Sequence, residues 1–224
     1  MDPTTLLSTP DIPDSVSIKV ELLAITPDAE RLIESAGRTA YRSFDRQAPG
    51  SEKKFIRMIV KNGHESVLEH AYATFRISGI SRACSHQLVR HRLCAITQQS
   101  QRYVSEDDFP AVEPASVAGN EEAHALYTTY LEETRKAYKA LADLGVRRED
   151  ARFVLPNATE TEMVVSANMR EWRHIVGLRG SRGAQWEIRA LAIELLRIFQ
   201  GHVPTVFCDF EVDEEQQVIR RVEV

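Results

Sequence analysis

The residues best equipped for chemistry in this chain are cationic side chains set close together. Arg90-His91-Arg92 is followed, after seven residues, by Ser100-Gln101-Arg102-Tyr103. Three consecutive side chains able to carry positive charge repel one another, so packing them together calls for an anion. Two chemistries suit such a cluster. A redox cofactor that gathers negative charge on reduction is stabilised by fixed cations. A single-stranded nucleic acid also fits, because arginine stacks on bases and grips phosphate. The cluster belongs to a wider pattern. From His70 to Ser105, 36 residues, there is no Asp or Glu, but there are five arginines (Arg76, Arg82, Arg90, Arg92, Arg102) and three histidines (His70, His86, His91). A second run, Met163 to Trp186, carries Arg170, Arg173, Arg179 and Arg182 against one acid, Glu171. Neither run contains lysine, and the chain has 22 Arg to 6 Lys. Arginine's planar fork gives paired hydrogen bonds to phosphate or carboxylate and keeps its charge when partly desolvated. Two such runs, interleaved with apolar residues, point to a pocket for a polyanion, against a plain solvated basic face.

Other site chemistries fit less well. His64-Glu65-Ser66-Val67-Leu68-Glu69-His70 resembles a zinc motif only in composition: position 68 is leucine, which breaks HExxH, and position 67 is valine, which breaks HxxEH. No metal site is expected. There is no GxxxxGKS and no GxGxxG, so arginines rather than a glycine-rich backbone nest would have to hold a nucleotide. Cys84, Cys94 and Cys208 are odd in number and widely spaced, and read as reduced thiols.

The elements that must position these residues follow from periodicity. The chain has 224 residues, 43% hydrophobic and 27% charged, with a net charge of −5, enough apolar content for a real core and no membrane span. The first residues lack the basic and apolar regions of a secretory signal, which makes a cytoplasmic protein the expectation. Residues 1–15, with Pro3, Pro10 and Pro13, read as a loose arm ahead of one domain over 16–224. Strands are expected over Ser17–Leu23, Tyr72–Ile77 and Glu162–Ala167. Helices are expected over Asp28–Ala36, Ser51–Asn62, Ser81–Leu93, Glu121–Leu144, Arg170–Leu178 and Ala184–Gln200. The helix Ser81–Leu93 would place Gln87 and Arg90 on one face. Glu106–Asn120 reads as loop, Ala151–Leu155 as a short apolar piece stopped by Pro156, and Thr205–Val224 as a strand or an arm. Trp172 and Trp186 read as core anchors, and Arg173 and Arg182 as surface charges. The simplest account is one helix-rich α+β domain.

Extending the string sharpens the picture. Gln87-x-x-Arg90-His91-Arg92, seven residues, then Ser100-x-Arg102-Tyr103 resembles the RHRx7S signature of the flavin-dependent thymidylate synthases. His64-Glu65-Ser66 with Glu69-His70 is similar to that family's upstream motif. Ala151-Arg152-Phe153-Val154-Leu155-Pro156 is similar to its ARxxLP segment. Asn168-x-Arg170, Leu178-Arg179 and Ala184-Gln185-Trp186-Glu187-Ile188 are similar to its C-terminal block. These motifs cover residues 64 to 188 in order.

The resemblance implies a small, mostly antiparallel sheet beside the helices. It implies conversion of dUMP to dTMP with methylenetetrahydrofolate as carbon donor, FAD as hydride carrier and NADPH as reductant. Ser66, Arg90, His91, Arg92, Gln98, Asn168, Arg170 and His174 would contact FAD. Gln87, Arg90, Gln98, Gln99, Ser100, Gln101, Arg102, Arg152 and Arg179 would contact dUMP. The family is homotetrameric with sites shared between subunits, so Arg152 and the Gln98–Arg102 loop would meet a nucleotide held partly by another chain. No Pro-Cys element of the thiol-dependent synthase class is present, so activation of the pyrimidine falls to electrostatics. Arg179 is the candidate, because a guanidinium beside the ring favours ionisation at N3 and spreads charge toward C5. Ser100 is a nucleophile or, lacking a positioned base, a phosphate donor. Gln98 stands where many members of the family carry Glu. Cys94 and Thr97 read as loop packing. Two other readings stand beside this one. An RNA-binding module would interleave aromatics with the cations and carry net positive charge, but the first basic run has only Tyr72, Phe75 and Tyr103. A member that binds nucleotide without turnover would lack groups that Ser100 and Arg179 supply here.

Overall fold

The computed structural model describes residues 18–223; the expected arm over 1–15 lies outside them. The framework of the fold is a four-stranded antiparallel sheet of order β1-β2-β4-β3, formed by Lys19–Ile25 (β1), Tyr72–Ser81 (β2), Ala95–Gln98 (β3) and Glu160–Asn168 (β4). Alternation decides which face is buried: Ala73, Phe75 and Ile77 of β2 and Met163, Val165 and Ala167 of β4 point inward. Phe75 pairs with Val165 and Ala73 with Ala167, so the two buried rows lie side by side. After Ile77 the register slips, where Gly79 takes a φ of +72°, a value that favours glycine.

Helices complete the fold, and those over Arg82–Leu88, Met169–Arg179 and Trp186–His202 pack on the sheet. The helices are Ala29–Thr39 (α1), Ser51–Lys61 (α2), Arg82–Leu88 (α3), Ala115–Ala118 (α4), Glu121–Asp143 (α5), Arg148–Ala151 (α6), Met169–Arg179 (α7) and Trp186–His202 (α8). Three-residue-per-turn pieces run over Glu65–His70 and Arg152–Val154. α8 has little solvated face, because Leu191, Ile193, Leu195, Leu196 and Phe199 are all buried. Phe75 lies edge-on to Trp172 at 5.1 Å and to Phe199 at 5.1 Å, and Phe199 stacks on Phe207 at 4.4 Å. Such pairs add about 0.5–1.5 kcal/mol each beyond area burial. Trp172, buried as expected, donates from its indole to the Ala73 carbonyl at 3.1 Å. Among the described residues no helix is long and apolar enough to cross a membrane.

Three junctions place the chemistry. β2 passes into α3 without a linker: Ser81 ends the strand and caps the helix, accepting from the Cys84 N–H at 3.0 Å. The buried Glu187 of α8 accepts from both Ser81 N–H and Ser81 Oγ at 2.6 Å. Asn168 ends β4 and caps α7 through the Glu171 N–H at 2.9 Å. Gln185 caps α8 through the Glu187 and Ile188 N–H groups.

Several expectations need correction. The helix expected to reach Leu93 stops at Leu88, and a turn follows in which Arg90 N–H reaches Gln87 O at 3.4 Å and His91 N–H reaches Leu88 O at 3.1 Å. Gln87 and Arg90 therefore share no helical face. The segment beyond forms β3, with Ile96 opposite Val165 and Thr97 opposite Val164, because β-branched residues fit the free edge of β4 better than a helix. The tail is a hairpin of Phe210–Asp213 (β5) and Val218–Arg221 (β6). Arg173 is no surface charge. It is 1% exposed, forked onto Asp209 at 2.6 and 2.9 Å, and bonded to Glu65 at 3.0 Å and to the Val206 carbonyl. Arg182 is exposed and bonds Gln216.

Candidate active site

The centre of the site is a clasp between the turn after α3 and the last residue of α7. Arg179 Nε donates to His91 Nε2 at 3.0 Å, and its Nη2 donates to the Gln87 carbonyl at 3.1 Å. His91 is 5% exposed. Burial, then Arg179, then His174 hold its imidazole down to about 4, from an ordinary 6.5. It is therefore neutral at pH 7. With Nε2 accepting from a guanidinium, the single proton sits on Nδ1, which faces Glu171 Oε1 at 3.4 Å. The His174 ring stands edge-on to His91 at 5.4 Å.

Alongside lies a pocket of about 510 Å³, within the size range of small-molecule sites. Asn168, Arg170, Glu171 and His174 line it from the start of α7, Leu93 from the turn, and Glu65 and Glu69 from the short helical piece. Arg170 is held by Glu69 at 2.6 Å. A guanidinium, an imidazole and an amide converging on one cavity suit the phosphates and polar ring edge of a dinucleotide such as FAD. The same atoms suit a metal ion poorly. The ligand atoms of His91, Glu171 and His174 lie within 4.8 Å of one another, but His91 Nδ1 carries its proton and Nε2 is taken by a cation. His64 and His70 of the zinc-like string are both exposed and stand outside that trio.

The second group of expected residues assembles at the β3 end. Gln98 Nε2 donates to Ser85 Oγ at 2.9 Å and Thr161 Oγ1 at 3.2 Å. Gln99 N–H donates to the Glu162 carbonyl, and the Gln99 carbonyl accepts from Arg82 Nη2, each at 2.9 Å. Ser100 Oγ accepts from the Arg102 N–H at 3.3 Å and opens the turn containing Gln101. Glu149 gathers both arginines: Arg102 Nε reaches its carboxylate at 3.1 Å and Arg152 Nε its carbonyl at 3.0 Å. Burial lowers the Arg82 guanidinium from its ordinary range, Glu106 opposes that, and Arg152 adds to the fall.

Not every expected residue joins these groups. Arg90 and Arg92 are exposed on the turn around the buried His91. Ser66 lines a different, more apolar pocket of about 590 Å³ with Arg38, Tyr41, Phe55 and His64. Two residues passed over in the sequence prove central. Glu171, the lone acid of the second basic run, faces His91, and that isolation was the available signal. Arg82 fixes the Gln99 carbonyl, with no signal beyond its place in the first run.

The thiols are poorly suited to act as nucleophiles. Burial, then Glu171, pushes Cys94 up to about 12. Burial, then Glu187, raises Cys84 well above its ordinary value, and burial, then Asp209, raises Cys208. Cys94 packs against the core beside β3, while Thr97 is an exposed residue of that strand.

Fold and site thus define an α+β protein whose site gathers guanidinium and imidazole groups, with its thiols held protonated. The chain belongs to the thymidylate synthase complementing protein family, whose model matches residues 21–205. It is 48% identical over 200 residues to a flavin-dependent thymidylate synthase of Geobacter sulfurreducens, covering 86% of each chain. It is 41% identical over 226 residues to one of Mycolicibacterium gilvum, covering 87% of this chain and 90% of that one. A solved structure of thymidylate synthase X from Helicobacter pylori, determined with FAD and dUMP, is similar in fold: TM-score 0.72, 24% identity, 89% of this chain and 99% of that chain covered.

Proposed function

We propose that this protein converts dUMP to dTMP with methylenetetrahydrofolate as carbon donor, FAD as hydride carrier and NADPH as reductant, and that residues 16–224 form its catalytic domain. The observation that carries this reading is the Arg179–His91 clasp beside a pocket lined by Asn168, Arg170 and His174, in a chain whose thiols stay protonated. A synthase without a thiolate needs another way to make C5 of the pyrimidine nucleophilic. Arg179 supplies it: two bonds fix the guanidinium, and the rest of its fork is left to favour negative charge on the uracil ring. Burial keeps His91 neutral, so it braces Arg179 as an acceptor without adding a competing charge.

Arg90, His91, Arg92, Gln98, Asn168, Arg170, His174 and Ser66 hold FAD, which supplies hydride when bound. Gln87, Arg90, Gln98, Gln99, Ser100, Gln101, Arg102, Arg152 and Arg179 hold dUMP. Ser100 acts as a phosphate donor: its oxygen already accepts from a backbone N–H, and its hydrogen is the part left to give. The pocket at His174 and the pocket at Ser66 share no lining residue, and neither includes Ser100 or Arg152. Such separation within one chain is what a homotetramer with sites shared between subunits predicts. A cytoplasmic location suits these substrates.

The test is an anaerobic assay for dTMP from dUMP, methylenetetrahydrofolate and NADPH, with and without added FAD. Turnover that depends on FAD and on all three substrates is expected. Folded protein that forms no dTMP with every component present overturns the reading.

A further inference from the structure

The family model ends at residue 205, ahead of the β5–β6 hairpin. That hairpin is nonetheless built into the site. Ile219 N–H donates to the Gly180 carbonyl at 2.7 Å, one residue past Arg179. The approach is so close that a Cβ on Gly180 would come within 2.6 Å of Ile219 Cγ1, and one on Gly177 within 3.2 Å of Phe210. Val222 N–H bonds the Asp209 carbonyl at 2.9 Å and fixes the end of β6. Arg221 is thereby delivered to the wall of the pocket formed by Asn168, Arg170 and His174.

Its guanidinium is only partly engaged there. Arg221 lies over the Phe210 ring at 4.8 Å, with Nη1 3.3 Å from Asp209 Oδ2. Asp209 also takes the buried fork of Arg173, which Glu65 shares, so Asp209 keeps a strong partner when Arg221 turns to a ligand. Its side chain remains 62% exposed. The pocket also carries Glu65, Glu69 and Glu171, and its lining arginines are Arg170, tied to Glu69, and Arg221. A pyrophosphate entering between those acids needs the second guanidinium.

We propose that Arg221 is a further cofactor-binding residue, whose guanidinium receives the pyrophosphate of the dinucleotide in this pocket. This rests on the reading that the pocket holds FAD. The test measures FAD affinity by flavin fluorescence on the full-length, flavin-stripped chain, for the parent, Arg221→Gln, Arg221→Lys and His174→Gln, across a salt series. Loss of one charge-assisted contact weakens binding about tenfold. Arg221→Gln is expected to show that loss at low salt and a shrinking one at high salt, with Arg221→Lys recovering part of it. The flavin-free melting temperature stays at the parental value, because Arg173 still holds Asp209. If His174→Gln weakens FAD binding and Arg221→Gln does not, the proposal falls and the pocket reading stands. If neither variant changes affinity, the pocket reading fails and the proposal with it. If Arg221→Gln melts low, the lysine variant and the parent decide, and parental affinity indifferent to salt overturns the proposal.

Discussion

Acidification from pH 7 to pH 4 should destabilise this fold through His91 in particular. The imidazole lies at about 4 in the folded protein against an ordinary 6.5, a difference of 6.5 − 4 = 2.5. At 1.36 kcal/mol per unit, the depression represents about 3 kcal/mol. The sign follows from which state binds the proton first. Between pH 6.5 and 4 the unfolded chain takes up a proton that the folded chain refuses, so stability is full above 6.5, falls as pH drops, and levels off below 4. Other groups titrate in the same range, and the variant His91→Gln removes only this one. Urea unfolding of parent and variant at half-unit pH steps gives the difference in stability, and the imidazole carbon shift of His91 reports its protonation directly. The parent should lose about 3 kcal/mol more than the variant across that window. A His91 resonance that titrates near 6.5, or a parent–variant difference flat from pH 6.5 to 4, would refute the clasp with Arg179.

Arg179→Lys keeps the charge but cannot bridge His91 and Gln87, so dTMP formation should drop by about 100-fold or more, as when a transition-state donor is lost; near-parental turnover in the anaerobic assay removes Arg179 from the chemistry. Glu187→Ala leaves the Ser81 N–H and hydroxyl without their acceptor and should cost about 2–5 kcal/mol in urea unfolding. A loss below about 1 kcal/mol would mean the junction holds without it. Cys94, three units above its ordinary 9.0, should react with iodoacetamide about 1000-fold more slowly in the folded chain than after unfolding; equal rates at pH 8 would show a thiolate there. Gly180→Ala should destabilise by about 1–3 kcal/mol through overlap with Ile219, read from the thermal midpoint.

Local patterns carried much of the architecture. α2 begins at Ser51 as its apolar spacing demanded, and α5 runs from Glu121 behind an Asn120 cap. Asn168, Arg170 and His174 share a pocket because the first two turns of a capped helix place them there, which spacing can reveal. What stayed hidden depends on long-range pairing. Arg173 looks like any surface cation until Asp209, 36 positions later, closes on it. β3 was obscured because the residues between Arg92 and Ser100 acquire their strand character from the edge of β4. Ser66 lies one residue from Glu65 in the chain but lines another cavity, a separation set by how the Glu65–His70 turn packs and invisible in a motif.

The uninterrupted passage from β2 into α3 has a consequence for how such chains can change length. Ser81 belongs to strand and helix at once, so no slack exists to absorb an added or deleted residue. One insertion there would rotate Gln87 by about 100° about the helix axis and carry the turn holding His91 with it. A change of length is absorbed more easily from Ser105 to Asn120, past the Gln98–Arg102 loop, where the chain holds only the four-residue α4.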